Sequence, residues 1–301
     1  MSISVPYLDP MRKTVFQLAA MAFQEDMPEG DITVEALQLE RFPCKGYVKT
    51  RESLVMAGVA WGDQVVEAFR ALHPEAQLKL HFNVEDGQPV DPGATLCTVE
   101  APADEVLAFE RTFLNFLSRS LGIAKQTATL VGMLEQARVG TRVLDTRKTQ
   151  PGYRLFDKYS VRCGGGWNHR LNLSDQVLIK ENHIAKHDGV AEVLRFVKRN
   201  LKRPVPIIIE VQNFDECRAA IEEGCDVIML DNFSPEQVRE ACTSKPNTIE
   251  FEVSGGITSQ NILEYCHAGI DRISIGAITH SVKAPDITLL VEEELNRDHS
   301  H

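Results

Sequence analysis

Apolar residues recur at helical spacing from Lys13 to Phe23, and the acidic stretch Glu25-Asp-Met-Pro-Glu-Gly-Asp31, broken by Pro and Gly, ends that predicted helix. Residues from about Cys44 to Glu100 read as short strands joined by turns. A second helical pattern runs from Asp104 to Arg138, with Leu107, Leu114, Leu117, Leu121 and Ala124 on one stripe and Gly122 as a candidate interruption. After residue 140 short apolar strands alternate with amphipathic helical stretches. The candidate strands are Arg142 to Leu144, Val177 to Ile179, Ile207 to Ile209, Val227 to Leu230, Ile249 to Val253 and Ile273 to Ile275. They are followed at once by Asp145, Lys180, Glu210, Asp231, Ser254 and Gly276.

Strand and helix in alternation predict a parallel α/β domain, in which functional groups gather just beyond the carboxyl ends of the strands. Six strands fall short of a full eightfold ring, so the expected fold is an incomplete, open α/β barrel. An α+β sandwich domain precedes it. The division expected is 1–138 for the sandwich with its linking helix and 139–301 for the barrel, with the end of the chain packing back on the first domain. Within the sandwich, the hairpins from Val84 to Glu100 resemble those of lipoyl and biotin carriers, but no lysine stands at a hairpin tip to be modified. That favours the carrier-like structure without carrier function.

Composition narrows the function. The chain has 301 residues, 43% hydrophobic and 25% charged, enough for one large core or two moderate ones. No apolar run approaches the length of a membrane span and the first residues lack the core of a signal peptide, which points to a cytoplasmic protein. The seven cysteines are scattered without metal-binding spacing and read as reduced packing residues. A formal charge of −11 argues against a nucleic-acid or anionic-membrane surface. From Arg142 to Lys180, however, eight basic residues stand against three acidic ones, interleaved with glycines and strand residues. Such clustering suggests a small polyanionic ligand more than a solvated charged face.

The run Asp145-Thr-Arg-Lys-Thr-Gln-Pro-Gly-Tyr-Arg154 sets Arg147 beside Lys148 directly after a strand. Arg grips a carboxylate or phosphate with two parallel hydrogen bonds, and Lys adds a mobile point charge. Cys163-Gly-Gly-Gly-Trp-Asn-His-Arg170 brings backbone freedom together with His169 and Arg170. Lys180, at the end of an apolar strand, needs an anion or a carboxylate to face. His183 reads as a structural histidine rather than a ligand contact. Glu210 and Asp231 end adjacent strands, where carboxylates accept hydrogen bonds from ribose hydroxyls or help hold Mg2+ through water; they are equally salt-bridge partners for Lys148 or Lys180. Ser254-Gly-Gly-Ile and Ser274-Ile-Gly-Ala-Ile-Thr-His280 offer small residues whose NH groups suit a phosphate.

In this order, the residues resemble the quinolinate phosphoribosyltransferase family over nearly the whole chain. The matches include Gly30-Asp-Ile-Thr33, Glu110-Arg-Thr with Leu114-Asn115, Asp145-Thr-Arg-Lys-Thr, Asn168-His-Arg170, Leu178-Ile-Lys with Asn182-His183, Leu230-Asp-Asn232, Ser254-Gly-Gly256 and Ser274-Ile-Gly276 with Thr279-His280. The resemblance implies a pentosyltransferase of de novo NAD biosynthesis that joins quinolinate to phosphoribosyl pyrophosphate and releases pyrophosphate and carbon dioxide, giving nicotinate mononucleotide. It implies Mg2+ as cofactor and a homodimer whose sites face the partner's first domain. It places Arg111, Arg147, His169, Arg170 and Lys180 around the quinolinate carboxylates. Lys148, Glu210 and Asp231 serve the ribosyl and pyrophosphate region, and Ser254, Gly255, Gly256, Gly276 and His280 the 5-phosphate. Lys148, Lys180, Glu210 and Asp231 are the expected catalytic residues, with Glu210 and Asp231 also the expected metal contacts. Arg119, Lys125 and Glu181 depart from the family pattern. The alternatives are a sister activity of the same fold, such as a nicotinate phosphoribosyltransferase, or a Schiff-base lyase using Lys180 as nucleophile.

Overall fold

Residues 3–38, 41–138, 140–266 and 269–293 are described by the computed structural model. Two compact units emerge, the first assembled from the start of the chain to Gln126, Gln150–Gly165 and the residues from Val282 on, the second from Thr127–Thr149 and Gly166–Ser281. This differs from the expected division at 138/139: the boundary falls within a helix, and the segment 150–165 belongs to the first unit.

In the first unit, helix α1 (Leu8–Asp26) buries Met11, Val15, Ala19 and Phe23, a single stripe at four-residue spacing. Asp31 caps α2 (Ile32–Leu37), its Oδ1 accepting from the N–H groups of Thr33 and Val34 at 2.9 and 3.1 Å. The region expected to be all strand contains β1 (Pro43–Thr50), β2 (Leu54–Val55), β3 (Lys79–Phe82), β4 (Pro89–Val90) and β5 (Thr95–Pro102), but also a 14-residue helix, α3 (Val59–Leu72). The reason is visible in its burial: Trp61, Val65, Val66, Ala68 and Phe69 lie on one helical face. Phe69 meets Phe23 and Phe109 edge-on, with ring centroids 5.2 and 5.7 Å away. Each such buried ring contributes about 2 kcal/mol of apolar burial.

The long helix α4 (Ala103–Gln136) runs through Gly122 unbroken. Gly122 serves close approach instead, since a Cβ there would stand 2.4 Å from the carbonyl oxygen of Lys283. Helix α5 (Arg154–Cys163) follows in the same unit. Two of the unusual residues find their reason here. Arg119 grips the fully buried Asp157 with two hydrogen bonds of 2.8 and 2.7 Å, and Lys125 pairs with Glu52. Strands order as β12-β1-β5-β3 in an antiparallel sheet, where β12 (Ile287–Glu293) pairs with β1 from Thr50–Ile287 to Cys44–Glu293.

The second unit holds β6 (Arg142–Leu144), β7 (Val177–Ile179), β8 (Ile207–Val211), β9 (Val227–Asp231), β10 (Glu250–Ser254) and β11 (Arg272–Ser274). They form a parallel sheet in the order β6-β11-β10-β9-β8-β7, with helices between the strands. Each strand lies within two residues of its expected bounds. The ends β6 and β7 are not hydrogen-bonded to one another, so the sheet stays open. The Trp167 backbone covers the free edge of β6, donating to Val143 O at 2.8 Å and accepting from Asp145 N at 3.1 Å. No described helix is long and apolar enough to cross a membrane. All seven cysteines are free thiols, and burial pushes the Cys97 and Cys163 thiols far up, away from nucleophilic use.

Candidate active site

Parallel neighbours in register point to the same face of a sheet, so the pairing fixes which side chains converge. Glu210 and Glu252 both pair with Met229, and Glu252 pairs with Arg272, which puts these residues in one row. Two positions further toward the carboxyl ends, Asp231 and Ser254 pair on the same face. Lys180 follows β7 immediately and its Nζ forms an ion pair with Glu210; the lysine is 48% exposed and the glutamate 15%. The sequence left Glu210 open as a metal contact or a salt-bridge partner of Lys180, and in the protein alone it is the latter. Asp231 Oδ2 accepts from Asn232 Nδ2 at 3.0 Å. His183 Nδ1 accepts the Lys180 N–H at 3.0 Å, the structural role expected of it.

At the end of β6 the buried Asp145 fastens the segment carrying the basic residues. Its Oδ1 accepts from the His169 N–H at 2.8 Å and its Oδ2 from Asn168 Nδ2 at 2.7 Å. His169 in turn accepts the Arg170 N–H at its Nδ1, at 2.8 Å. Its Nε2 lies 3.4 Å from Glu252 Oε1. Arg170 is 6% exposed, and one Nη donates to Gln176 O at 3.4 Å. Its Nε is buried without a hydrogen-bond partner among the described residues, and so is the Nε of Arg147. Burial first, and then the positive charge of Arg147, hold the Arg170 guanidinium below its ordinary value, while Glu210 and Asp175 partly offset them. Two like charges whose Nε donors are buried and unsatisfied are stabilised by an anion that fits both.

The glycines after β10 and β11 have geometric causes. Gly255 has φ +103°, and a Cβ on it would stand 2.1 Å from Asn232 Oδ1 and 3.0 Å from Asn232 N. Asn232 is itself left-handed at φ +58° and donates its N–H to Ser254 O at 2.9 Å. Gly256 has φ +62°. A Cβ on Gly276 would meet Lys148 Cδ at 3.1 Å and His280 Cδ2 at 3.2 Å, so the Lys148 stem and the His280 ring both lie over it. Thr279 Oγ1 donates to Lys148 O at 2.8 Å. Gly255→Ala is expected to displace Asn232, cost about 1–3 kcal/mol of stability, and raise KM for the phosphorylated substrate. A variant with wild-type denaturation midpoint and KM would remove the steric argument.

The second unit thus brings together Arg147, His169 and Arg170, then Lys180 with Glu210, and Lys148 with Gly276 and His280. Arg111 lies on the first unit, exposed on α4 one turn before Asn115, which is also exposed. The basic run from Arg142 to Lys180 is divided between the units, with Arg154, Lys158 and Arg162 on α5 in the first, where Lys158 is fully buried. A cavity of about 390 Å³ opens beside Lys180, Asn182, Glu210 and Gln212. A larger one of about 490 Å³ lies in the first unit, where Arg41 is paired with Asp104 and Glu105 and Lys45 with Glu100. Sequence reasoning did not single out Asp145, Asn232, Glu252 or Arg272 as functional residues. The available signal was a polar residue directly past a strand end, or at alternate positions within an apolar strand.

Residues 31–121 match the N-terminal domain family of quinolinate phosphoribosyl transferase, and residues 123–290 the C-terminal domain family. The chain is 38% identical over 286 residues to the probable nicotinate-nucleotide pyrophosphorylase (carboxylating) of Methanocaldococcus jannaschii, covering 93% of this chain and 98% of that protein. It is 37% identical over 278 residues to the nicotinate-nucleotide pyrophosphorylase (carboxylating) of Mycobacterium leprae, covering 89% and 94%. The solved structure of the nicotinate-nucleotide pyrophosphorylase from Francisella tularensis superposes with a TM-score of 0.87 at 36% identity, covering 97% of this chain and 99% of that one.

Proposed function

The chain belongs to the quinolinate phosphoribosyltransferase family, and from that premise we propose how its residues divide the work. Its activity is that of a phosphoribosyltransferase of NAD biosynthesis, converting quinolinate and phosphoribosyl pyrophosphate into nicotinate mononucleotide. The observation that carries the assignment of residues is that the half-buried Arg147 and the buried Arg170 each carry a buried Nε without a hydrogen-bond partner among the described residues. A dianion with adjacent carboxylates, as on quinolinate, supplies the acceptors that this pair lacks. Lys180 completes the clamp, and Arg111 is contributed by a partner subunit of a homodimer. His169 contacts the same substrate or holds its neighbours. Lys148, Gly276 and His280, with Ser254, Gly255 and Gly256, receive the phosphorylated ribose.

Clamped in this way, the pyridine nitrogen is held facing the ribosyl carbon, which replaces a chance encounter by a fixed approach. The nitrogen lone pair forms the new bond as the bond to pyrophosphate breaks, and that bond's electrons leave with pyrophosphate. Lys148 and the other basic groups stabilise the departing charge. The ring nitrogen becomes cationic. The bond to the neighbouring carboxylate then breaks, carbon dioxide departs, the electron pair stays on the ring carbon beside the cationic nitrogen, and water supplies the proton. No protein nucleophile takes part.

Mg2+ fits this site only together with pyrophosphate. Among the described residues no group of three or more His, Cys, Asp or Glu side chains could hold a metal, whereas Mg2+ commonly combines one or two carboxylates with substrate phosphates. Glu210 and Asp231 are the carboxylates available, and the ion would supply charge neutralisation at the leaving group. We place the enzyme in the cytoplasm.

The test is to incubate the pure protein with quinolinate, phosphoribosyl pyrophosphate and Mg2+ and measure carbon dioxide and nicotinate mononucleotide. Product from nicotinate but not from quinolinate would establish the sister activity instead, and borohydride trapping of a carbonyl substrate on Lys180 would establish the lyase. Within the clamp, losing a charged hydrogen-bond partner costs about 1.5–3 kcal/mol, so Arg170→Ala is expected to weaken quinolinate binding roughly 10- to 150-fold. Unchanged affinity in a calorimetric titration removes Arg170 from the clamp.

A further inference from the structure

We propose that Glu252, paired with Arg272, is a positioning residue for quinolinate binding: it holds the His169 imidazole and, through it, the backbone from which Arg170 reaches the substrate. The contacts run from Arg272 to Arg170, the first two as ion pairs outside hydrogen-bond geometry and the last as a hydrogen bond. Arg272 Nε lies 2.9 Å from Glu252 Oε2, and Glu252 Oε1 lies 3.4 Å from His169 Nε2. His169 Nδ1 accepts the Arg170 N–H at 2.8 Å. Because Nδ1 is an acceptor there, the ring proton of neutral His169 belongs on Nε2, the nitrogen that faces Glu252. Glu252 is therefore the group that the protonated nitrogen faces, and it orients the ring. Behind the same residue, Asp145 fixes the His169 backbone at 2.8 Å. Thus the segment from His169 to Arg170 is held on one side by Asp145 and on the other by Glu252.

Stability alone does not account for this pair. Glu252 is wholly buried and Arg272 is 9% exposed, and replacing a buried ion pair by apolar residues of similar size is often neutral or stabilising. The groups around Glu252 are opposed. Burial pushes its carboxyl up, Arg272 and the Ser274 hydroxyl pull it down, and Glu210 and Glu250 push it up again. A carboxylate kept under such conditions beneath a substrate clamp is best explained by what it holds in place.

The inference rests on quinolinate being the substrate, so its test includes one readout that needs no substrate. The double variant Glu252→Leu/Arg272→Met removes both charges together. Its denaturation midpoint is expected at or above wild type, its quinolinate affinity reduced about 10-fold or more, and its affinity for phosphoribosyl pyrophosphate within about two-fold. Wild-type quinolinate affinity in the folded double variant overturns the proposal. Should that variant not fold, Glu252→Gln decides in its place. With 15N-labelled histidine, the NMR titration midpoint of His169 is expected to fall by about one pH unit in Glu252→Gln, since an anion that favours the imidazolium is gone. An unmoved midpoint overturns the proposal. Failure of the wild-type protein to bind quinolinate defeats the functional reading, and the His169 midpoint still reports the hold of Glu252 on the ring.

Discussion

Lys180→Ala is expected to lower kcat by roughly 10²- to 10³-fold, the loss typical of removing one group that stabilises charge in the transition state. Its thermal midpoint should move by a few degrees at most. The two expectations separate because Lys180 is half exposed at a strand end and pairs with Glu210; a partly exposed ion pair contributes about 0–1 kcal/mol to folding. Removing the ammonium also leaves Glu210 facing the Arg147–Arg170 pair without its own counter-charge, so the carboxylate competes with the substrate dianion for the guanidinium groups. Differential scanning calorimetry and steady-state kinetics on the same preparation check both halves. Parallel losses of stability and activity would make Lys180 a structural ion-pair residue.

Mixing Arg111→Ala with Lys180→Ala is expected to restore activity that neither variant has alone. If each site takes Arg111 from one subunit and Lys180 from the other, a mixed dimer contains one intact site and one doubly altered site. Random assembly of a two-fold dimer from equal amounts gives about half mixed dimers, hence about a quarter of all sites intact. Arg111 is suited to such service: it is exposed on α4, and the adjacent turn presents Asn115 on the same face. The measurement uses two differently tagged chains, co-expressed and purified through both tags. Verified mixed dimers no more active than their parents would assign Arg111 to its own subunit or to none.

The barrel was legible because β7, β8 and β9 carry runs of three or four apolar residues, and a polar or glycine residue stands at or directly past the end of each strand. Burial on both faces makes the runs continuous, as in Ile207–Val211 and Val227–Asp231. The first unit was harder. Helix α3 was read as strand because its stripe of Trp61, Val65 and Phe69 sits among short strands, and two-residue strands such as Leu54–Val55 carry no period of their own. Gly122 looked like a break for want of knowledge that another carbonyl needs its missing side chain. At the site, the residues of the proposed clamp stood out as Arg and Lys beside glycines. The Glu252–Arg272 pair did not, because both alternate with apolar residues as solvent-facing strand positions do, and only strand order brings them together.

The pairing of β12 with β1 has a consequence for synthesis. Translation is vectorial, so residues 43–50 leave the ribosome more than two hundred residues before 287–293, the strand they pair with, have been made. Through that interval β1 offers an unpaired edge, the kind of surface that invites pairing with another nascent chain. The alternate charges Lys45 and Lys49 along β1 oppose such pairing by repulsion between copies. The entropy of closing so long a loop falls due before the last strand docks, which makes completion of this sheet a late event in folding.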